Sequence, residues 1–363
     1  MMRITIVTAY FAPEISPVTH LYGDLAADLA AKGAEVTVVT GFPARGLTEA
    51  EQAAYQSRRD ERTAEGYRVL RVGSPGTESS GLIKRGLRLL SGAAALYRTA
   101  NQLPTDAYLL GSMPPFLGPI GALLNRRART VYVLQDIFPD TLVLMGKYGE
   151  GHPFVRLGRW MERVSYRRNA RFITLSPDMA DTLLHRGVPE QKLSIIGNWA
   201  DTDAIRPVPR ADNPLFHELG LDTDGFYAVY AGTLGPLQRP DLLLDAALLF
   251  FPERSVAANV RRIAPCEVSK TKGFSMQVAK ESGLVGCADP GESEAIPPVT
   301  FLIFGGGALY EHVRERIERE RITNVKLFPL LPEERAGEVY SLGDVALIPL
   351  KAGTLRFAMP SKT

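Results

Sequence analysis

Two short stretches of the chain have the residue types that hold a phosphate. Ala231-Gly232-Thr233-Leu234-Gly235 and Phe304-Gly305-Gly306-Gly307-Ala308 each follow a β-rich apolar run and precede a helical one. Glycine lets a main chain approach a phosphate closely, and free N–H groups at a helix start attract its charge. Arg239, just past the first turn, adds a forked donor for the same phosphate. Two such turns in one domain favour a nucleotide diphosphate; the plainer alternative is that the glycines only make tight β-α turns. Neither turn is a GxxxxGKS/T loop, and the first strand runs into Phe11-Ala12-Pro13-Glu14 rather than GxGxxG. That argues against ATPases and ordinary NAD-dependent dehydrogenases.

Other patterns carry less chemistry. A DxD pair, the signature of a metal-bound sugar nucleotide, occurs at Asp201/Asp203 and at Asp222/Asp224. Both lie in polar stretches and read as solvated turn residues. The histidines His20, His152, His185, His217 and His312 include no pair at metal-ligand spacing. Cys266 and Cys287 are too few for a disulfide framework or a cysteine-based zinc site. No metal and no cofactor are expected.

The elements that must position these residues alternate from the start of the chain. Hydrophobic periodicity predicts strands at Arg3–Thr8, Glu35–Thr40, Tyr67–Val72, Ala107–Leu110, Thr130–Gln135, Phe172–Leu175 and Leu193–Ile196. Helices fit between them at His20–Lys32, Leu82–Asn101, Phe116–Arg127, Phe154–Asn169 and Pro177–His185. Such alternation implies a parallel sheet with right-handed crossovers. A proline- and charge-rich stretch around Ala204–Asn213 reads as an interdomain linker. The alternation then restarts, with strands at Phe226–Ala231, Val299–Phe304, Asn324–Leu327 and Val345–Pro349, and helices at Pro240–Phe250, Leu309–Glu320 and Pro332–Tyr340. Phe251 to Pro298 does not fit, because an αβ connection usually takes about 2–6 residues. It reads as a surface insertion.

The 363 residues suit two domains. A 45% hydrophobic and 23% charged chain is globular, which excludes collagen-like and wholly disordered proteins. The net charge of +2 is too small for a dedicated nucleic-acid binder, although the first half is basic, with 25 Lys/Arg against 20 Asp/Glu up to Arg206. The first apolar run is too short for a signal-peptide core. Ala107–Leu124 approaches membrane-spanning length, but Pro114, Pro115 and Pro119 break it into a strand, a loop and a short helix. A cytoplasmic protein is expected. Cations interleave with apolar residues at Leu82–Leu90 and Phe154–Met161, a pattern shared by helices that lie on anionic lipid and by core helices with a solvated basic face. A peripheral position at the inner face of the membrane is part of the expectation.

Six segments in order resemble one family. They are Tyr10-Phe11-Ala12-Pro13-Glu14; Leu21-Tyr22 through Val38; Val133-Leu134-Gln135-Asp136-Ile137-Phe138-Pro139-Asp140; Ile196-Gly197-Asn198-Trp199-Ala200-Asp201; Tyr230 to Gly235; and Met359-Pro360-Ser361-Lys362-Thr363. Together they resemble the retaining GT-B glycosyltransferases of the group 1 or family 4 type, nearest those acting in capsule, O-antigen and colanic-acid assembly. The resemblance spans nearly the whole chain outside the insertion. It implies an α/β fold of two Rossmann-like doubly wound domains facing a cleft, an acceptor-side domain over 1–205 and a nucleotide-sugar-binding domain over 206–363. It further implies transfer of a sugar, with retention, from a UDP- or GDP-sugar to a polyprenyl-linked or other cell-envelope saccharide.

Carried over position by position, the resemblance sets the diphosphate at Gly232, Thr233 and Gly235, with Arg239 or Lys362 as its cationic partner. The base falls near Gly305, Gly306, Gly307 and the Phe328-Pro329-Leu330-Leu331 loop. Glu14 and Asp136 face the acceptor and the reacting sugar. Asp136, Arg239 and Lys362 are the catalytic candidates; Glu14, the two glycine turns and Leu330 bind substrate. Retaining GT-B enzymes deprotonate the acceptor on the leaving phosphate's own face, so cations rather than a base are looked for. Departures exist. Arg239 stands where the family often has lysine, and Ile15-Ser16-Pro17-Val18-Thr19 lacks the paired glycines common there. The chain stops at Thr363 where the family continues, so a truncated second domain is expected. Beside sugar transfer stand two alternatives, an inactive nucleotide-binding remnant and a nucleotide-sugar epimerase.

Overall fold

The structure, a computed structural model, describes residues 1–14, 18–44, 47–74, 82–250 and 298–360, with 82–88 described by their backbone alone. The inserted stretch up to residue 297 and Lys362 therefore lie outside the described residues. The chain divides into two compact units, Met1–Ala200 with Leu350–Thr363, and Asp201–Pro349.

In the first unit eight strands form one sheet: β1 (Arg3–Val7), β2 (Glu35–Thr40), β3 (Asp60–Arg62), β4 (Arg68–Arg71), β5 (Ala107–Gly111), β6 (Arg129–Leu134), β7 (Arg171–Thr174) and β8 (Leu193–Ile195). Their order is β3-β4-β2-β1-β5-β6-β7-β8. The direction of winding reverses between β1 and β5, which makes the loops after these strands the switch point where doubly wound sheets bind ligands. The helices are α1 (Thr19–Ala31), α2 (Glu49–Tyr55), α3 (Leu82–Gln102), α4 (Leu117–Leu124), α5 (Asp140–Leu144), α6 (Pro153–Arg168) and α7 (Pro177–His185). Apolar clusters cover the two faces of the sheet, one around Tyr108, Leu117 and Phe172, the other around Ile6, Tyr22 and Val38.

One strand departs from the parallel expectation. β3 pairs antiparallel with β4. Only residues 63–67 join the two, too few for a crossover, and Gly66 turns the chain at φ +91. Arg68 closes the hairpin with a two-pronged ion pair to Asp60, at 2.6 and 2.8 Å. Periodicity also passed over α2, although its capping box, Thr48 with Glu51, is a sequence signature. The apolar stretch Ala107–Leu124 is β5, a proline loop and α4. Among the described residues no helix is long and apolar enough to cross a membrane.

The second unit holds α8 (Pro214–Glu218), β9 (Phe226–Thr233), α9 (Asp241–Leu249), β10 (Val299–Gly306), α10 (Tyr310–Glu320), β11 (Val325–Pro329), α11 (Ala336–Tyr340) and β12 (Val345–Ala346). Its four strands are parallel, in the order β11-β10-β9-β12. The winding reverses at β9, which puts the Gly232–Gly235 turn at this sheet's switch point. Two shorter elements than expected end the unit. The Pro332–Tyr340 helix is a single 3-10 turn, Glu333–Arg335, followed by α11, and β12 stops at Ala346, although the Leu347 N–H still donates to Val229 at 2.8 Å.

The end of the chain packs with the first unit. The segment from Leu350 groups with the first compact unit, whereas the resemblance implies a second domain that runs to 363. Phe357 and Met359 pack on the first unit's apolar cluster, the Ile137 N–H donates to the Phe357 carbonyl at 2.7 Å, and Lys351 Nζ donates to Leu144 O at 2.6 Å. Burial of these side chains outweighs continuity along the chain.

α4 lies close on α6 because glycine faces it. A Cβ on Gly121 would stand 2.4 Å from Asn169 Oδ1 and 3.0 Å from Leu110. Asn169 is fully buried and cannot swing away, since its Nδ2 donates to Gly118 O and Ser165 O at 3.1 and 2.9 Å. Gly121→Ala is expected to destabilise the chain by about 1–3 kcal/mol, the usual cost of overpacking. Urea unfolding measures it; an unchanged midpoint would mean that α4 is not pinned at this contact.

Candidate active site

The two glycine turns meet at one edge of the second unit's sheet. In the β9–β10 register Gly305 pairs with Gly232 and Gly306 with Thr233. Leu234 stitches the turns together: its N–H donates to Gly306 O at 2.7 Å, its carbonyl accepts from Leu309 at 3.0 Å, and its side chain is fully buried. A Cβ on Gly305 would stand 2.6 Å from that side chain, so this glycine is required by packing alone. Gly232 and Gly307 adopt φ of +142 and +116, conformations that L side chains rarely reach. Gly235 is buried, and Thr233 and Arg239 are exposed. Arg239 has φ +44, one of two positive values at non-glycine positions among the described residues.

Beside Gly305–Gly307 runs the end of β11. Gly305 pairs with Pro329, and a Cβ on Gly306 would lie 3.5 Å from Leu330, which is half exposed. Phe328 stacks on Phe304 with centroids 4.9 Å apart. The structure therefore brings Gly232, Thr233, Gly235, Gly305, Gly306, Gly307 and Leu330 to a single edge. Both DxD pairs are spent on local turns. Asp201 Oδ1 accepts the N–H groups of Asp203 and Ala204, each at 2.9 Å, and Asp222 Oδ1 accepts that of Asp224 at 3.0 Å. Among the described residues, no group of His, Cys, Asp and Glu could hold a metal ion.

In the first unit Glu14 and Asp136 lie beyond the ends of β1 and β6, with only β5 between those strands. Glu14 is buried, and its carboxylate accepts the Ala44 N–H at 2.9 Å. Asp136 is held through its main chain: its N–H and that of Gln135 donate to Ser112 Oγ at 3.3 and 3.0 Å, and it bridges to Ala358. Asp136 lines a small cavity with Tyr132, Phe138, Met161, Glu162 and Tyr166. The space suffices for about one water molecule. Burial pushes the Asp136 carboxyl up to about 6. Ser112 was not singled out by sequence; the available signal is a small polar residue directly after a strand at the switch point.

Asp140, four residues on, has a different task. Its carboxylate pairs with Arg186 at 2.8 Å and with Arg159 at 3.2 Å. Arg186 also reaches Glu162 at 2.8 and 3.0 Å, and its guanidinium lies 5.9 Å from the Phe357 ring. Tyr166 donates to Glu162 at 2.6 Å. Burial pushes Glu162 up to about 7 in spite of the arginine beside it. This network fastens the loop after β6, α6, α7 and the chain's last described segment to one another, and leaves Asp136 as that loop's unpaired acid among the described residues.

The description "Glycosyl transferase 4-like domain" matches residues 19–199. A protein of Escherichia coli K12 described as a colanic acid biosynthesis glycosyl transferase, WcaI, is 22% identical over 99% of this chain and 80% of its own length. Among solved structures, the sucrose-phosphate synthase of Thermosynechococcus elongatus has a TM-score of 0.62 at 12% identity, covering 96% of this chain and 76% of that one. HepE of Anabaena, solved with UDP-glucose, has a TM-score of 0.58 at 15% identity, covering 98% and 75%. Two parallel α/β units of this kind match GT-B structures, and with a glycosyl transferase 4-like domain over residues 19–199 the chain is a glycosyltransferase of the GT-B fold.

Proposed function

We propose that the chain moves a sugar, with retention, from a UDP- or GDP-sugar to a lipid-linked or other cell-envelope saccharide. The observation that carries this is the convergence of both glycine turns and Leu330 on one sheet edge, where a nucleotide diphosphate and its base could lie side by side. A neighbour of the same fold holds UDP-glucose. The reaction breaks the bond from the anomeric carbon to the diphosphate oxygen and forms one to the acceptor oxygen. The acceptor's proton goes to the departing phosphate on the same face. Negative charge grows on that phosphate, so Arg239, with Lys362, stabilises the transition state more than the ground state. Asp136, as a carboxylate, faces the positive charge that develops on the sugar ring. Incubation with radiolabelled UDP- and GDP-sugars and a bacterial lipid extract should label the lipid fraction, with the donor's anomeric configuration kept in the product. An inverted product would remove retention, and no labelling with any donor would remove the activity.

Two variants probe the residues. Arg239→Ala should weaken UDP or GDP binding about ten-fold, as the loss of a hydrogen bond to a charged group does; unchanged affinity by calorimetry would take Arg239 out of the site. For Asp136 the expectation is a pH limb. Its carboxyl titrates near 6 rather than at the ordinary value of about 3.9. Below pH 6 it is protonated and its charge is lost, so transfer should slow as pH falls through 6. Asp136→Asn should be slow and flat across that range, whereas Glu162→Gln, altering the neighbouring acid, should keep the limb. A limb that survives in Asp136→Asn contradicts the assignment.

For the membrane we propose the exposed side of α6 as the contact. Phe154, Leu157 and Trp160 are exposed there beside Arg156, Arg163 and Arg167. Cations set among apolar side chains suit an anionic lipid surface. The chain should sediment with vesicles of phosphatidylglycerol but not of phosphatidylcholine, and added salt should release it. Equal behaviour with both lipids would show a solvated basic face only.

A further inference from the structure

Arg71 ends β4 with only 3% of its surface exposed, and the transfer chemistry above does not use it. Its burial follows from strand alternation, since Val69 and Arg71 share the inward face. A buried guanidinium must find acceptors or cost several kcal/mol, roughly. Nη1 donates to Glu61 on the neighbouring β3 at 2.7 Å, and the guanidinium lies 4.9 Å over the Tyr55 ring. Those contacts fasten it to the edge hairpin and to the end of α2. Nη2 does something else: it donates to the carbonyl of Ala12 at 2.9 Å. Since β2 stands between β4 and β1, this bond reaches past the end of β2 to the loop after β1. The same loop carries Glu14, is tied at its far end to the Ala44 N–H, and seats Phe11 edge-on against Tyr67 at 6.2 Å.

We propose that Arg71 is a positioning residue for the transfer reaction, fixing the Tyr10–Glu14 loop through the Ala12 carbonyl and so setting the acceptor's place. The inference rests on the assignment of Glu14 to the acceptor. Glu61, the Arg58 carbonyl and the Tyr55 ring serve Nη1 and the guanidinium face locally; Nη2 is spent on a loop at the switch point, where a misplacement of about 1 Å can cost 100-fold in rate.

The test uses the full chain, with UDP-[14C]glucose and GDP-[14C]mannose as donor probes and a bacterial lipid extract as acceptor. Amide hydrogen exchange is read at Tyr10 and Glu14, whose N–H groups are bonded to Thr8 Oγ1 and Phe11 O. Arg71→Met should speed exchange at those two amides about ten-fold and raise the acceptor concentration for half-maximal transfer about ten-fold, with donor KM and β1 exchange unchanged. Arg71→Lys, which keeps the charge on a single donor nitrogen, should recover part of both effects. Should Arg71→Met not fold, Arg71→Lys decides by the same two readouts. Unchanged loop exchange and acceptor KM, or an equal loss on the donor and acceptor sides, would overturn the proposal. Wild-type transfer by Glu14→Gln would instead sink the Glu14 assignment, and the loop-exchange result would still stand.

Discussion

Gly305 lies opposite Gly232 because β9 and β10 run parallel through a continuous register, from Val299 against Phe226 to Gly306 against Thr233. Parallel strands deliver the loops that follow them to the same edge. Two turns more than seventy positions apart in sequence thereby become neighbours joined by Leu234. The first unit obeys the same rule: the loops after β1, β5 and β6 share an edge, and Ser112 from the second of them holds the main chain of the third. A one-residue slip in either sheet would turn inward-facing side chains outward and separate these groups.

Holding such loops still costs polar burial, and the first unit meets that cost with arginines. Arg186 sits between Asp140 and Glu162, and Arg71 between Glu61 and the Ala12 carbonyl. Each satisfies groups from different segments, so removing Arg186 would strand buried charge, and removing Arg71 would leave the Ala12 carbonyl and a half-buried Glu61 without their donor. Buried pairs of this kind are weak arguments for net stability. Their value here is geometric, because each ties a loop that carries a candidate acid to a rigid element. Asp140 and Asp136 show the division of labour within one segment, the first paired and the second lining a water-sized cavity.

Much of the fold was legible in the chain. Periodicity located most of the long elements because a doubly wound sheet buries both faces, and apolar strands alternate with amphipathic helices as a result. The glycine turns were legible as well, since a β-run, a glycine cluster and a helix start leave a local imprint. Yet Gly305 shows the limit of that reading: the pattern suggested ligand approach, whereas the Leu234 side chain already requires a glycine there. What local pattern missed was short or closed by a turn. β3, α2, α5 and α8 fall below the length at which periodicity speaks.

The class of sheet and the identity of the acids and glycines at strand ends can be read along the chain, because each is a property of neighbouring residues. Tertiary structure alone decided which of these acids are paired. Asp136 and Asp140 look alike in the chain; Arg186, more than forty residues on, separates them. It also decided that the segment from Leu350 belongs with the first unit, where Phe357 finds an apolar surface and an arginine to cover. Burial, and the partners a buried charge must find, depend on segments far apart in the chain, and no local pattern encodes them.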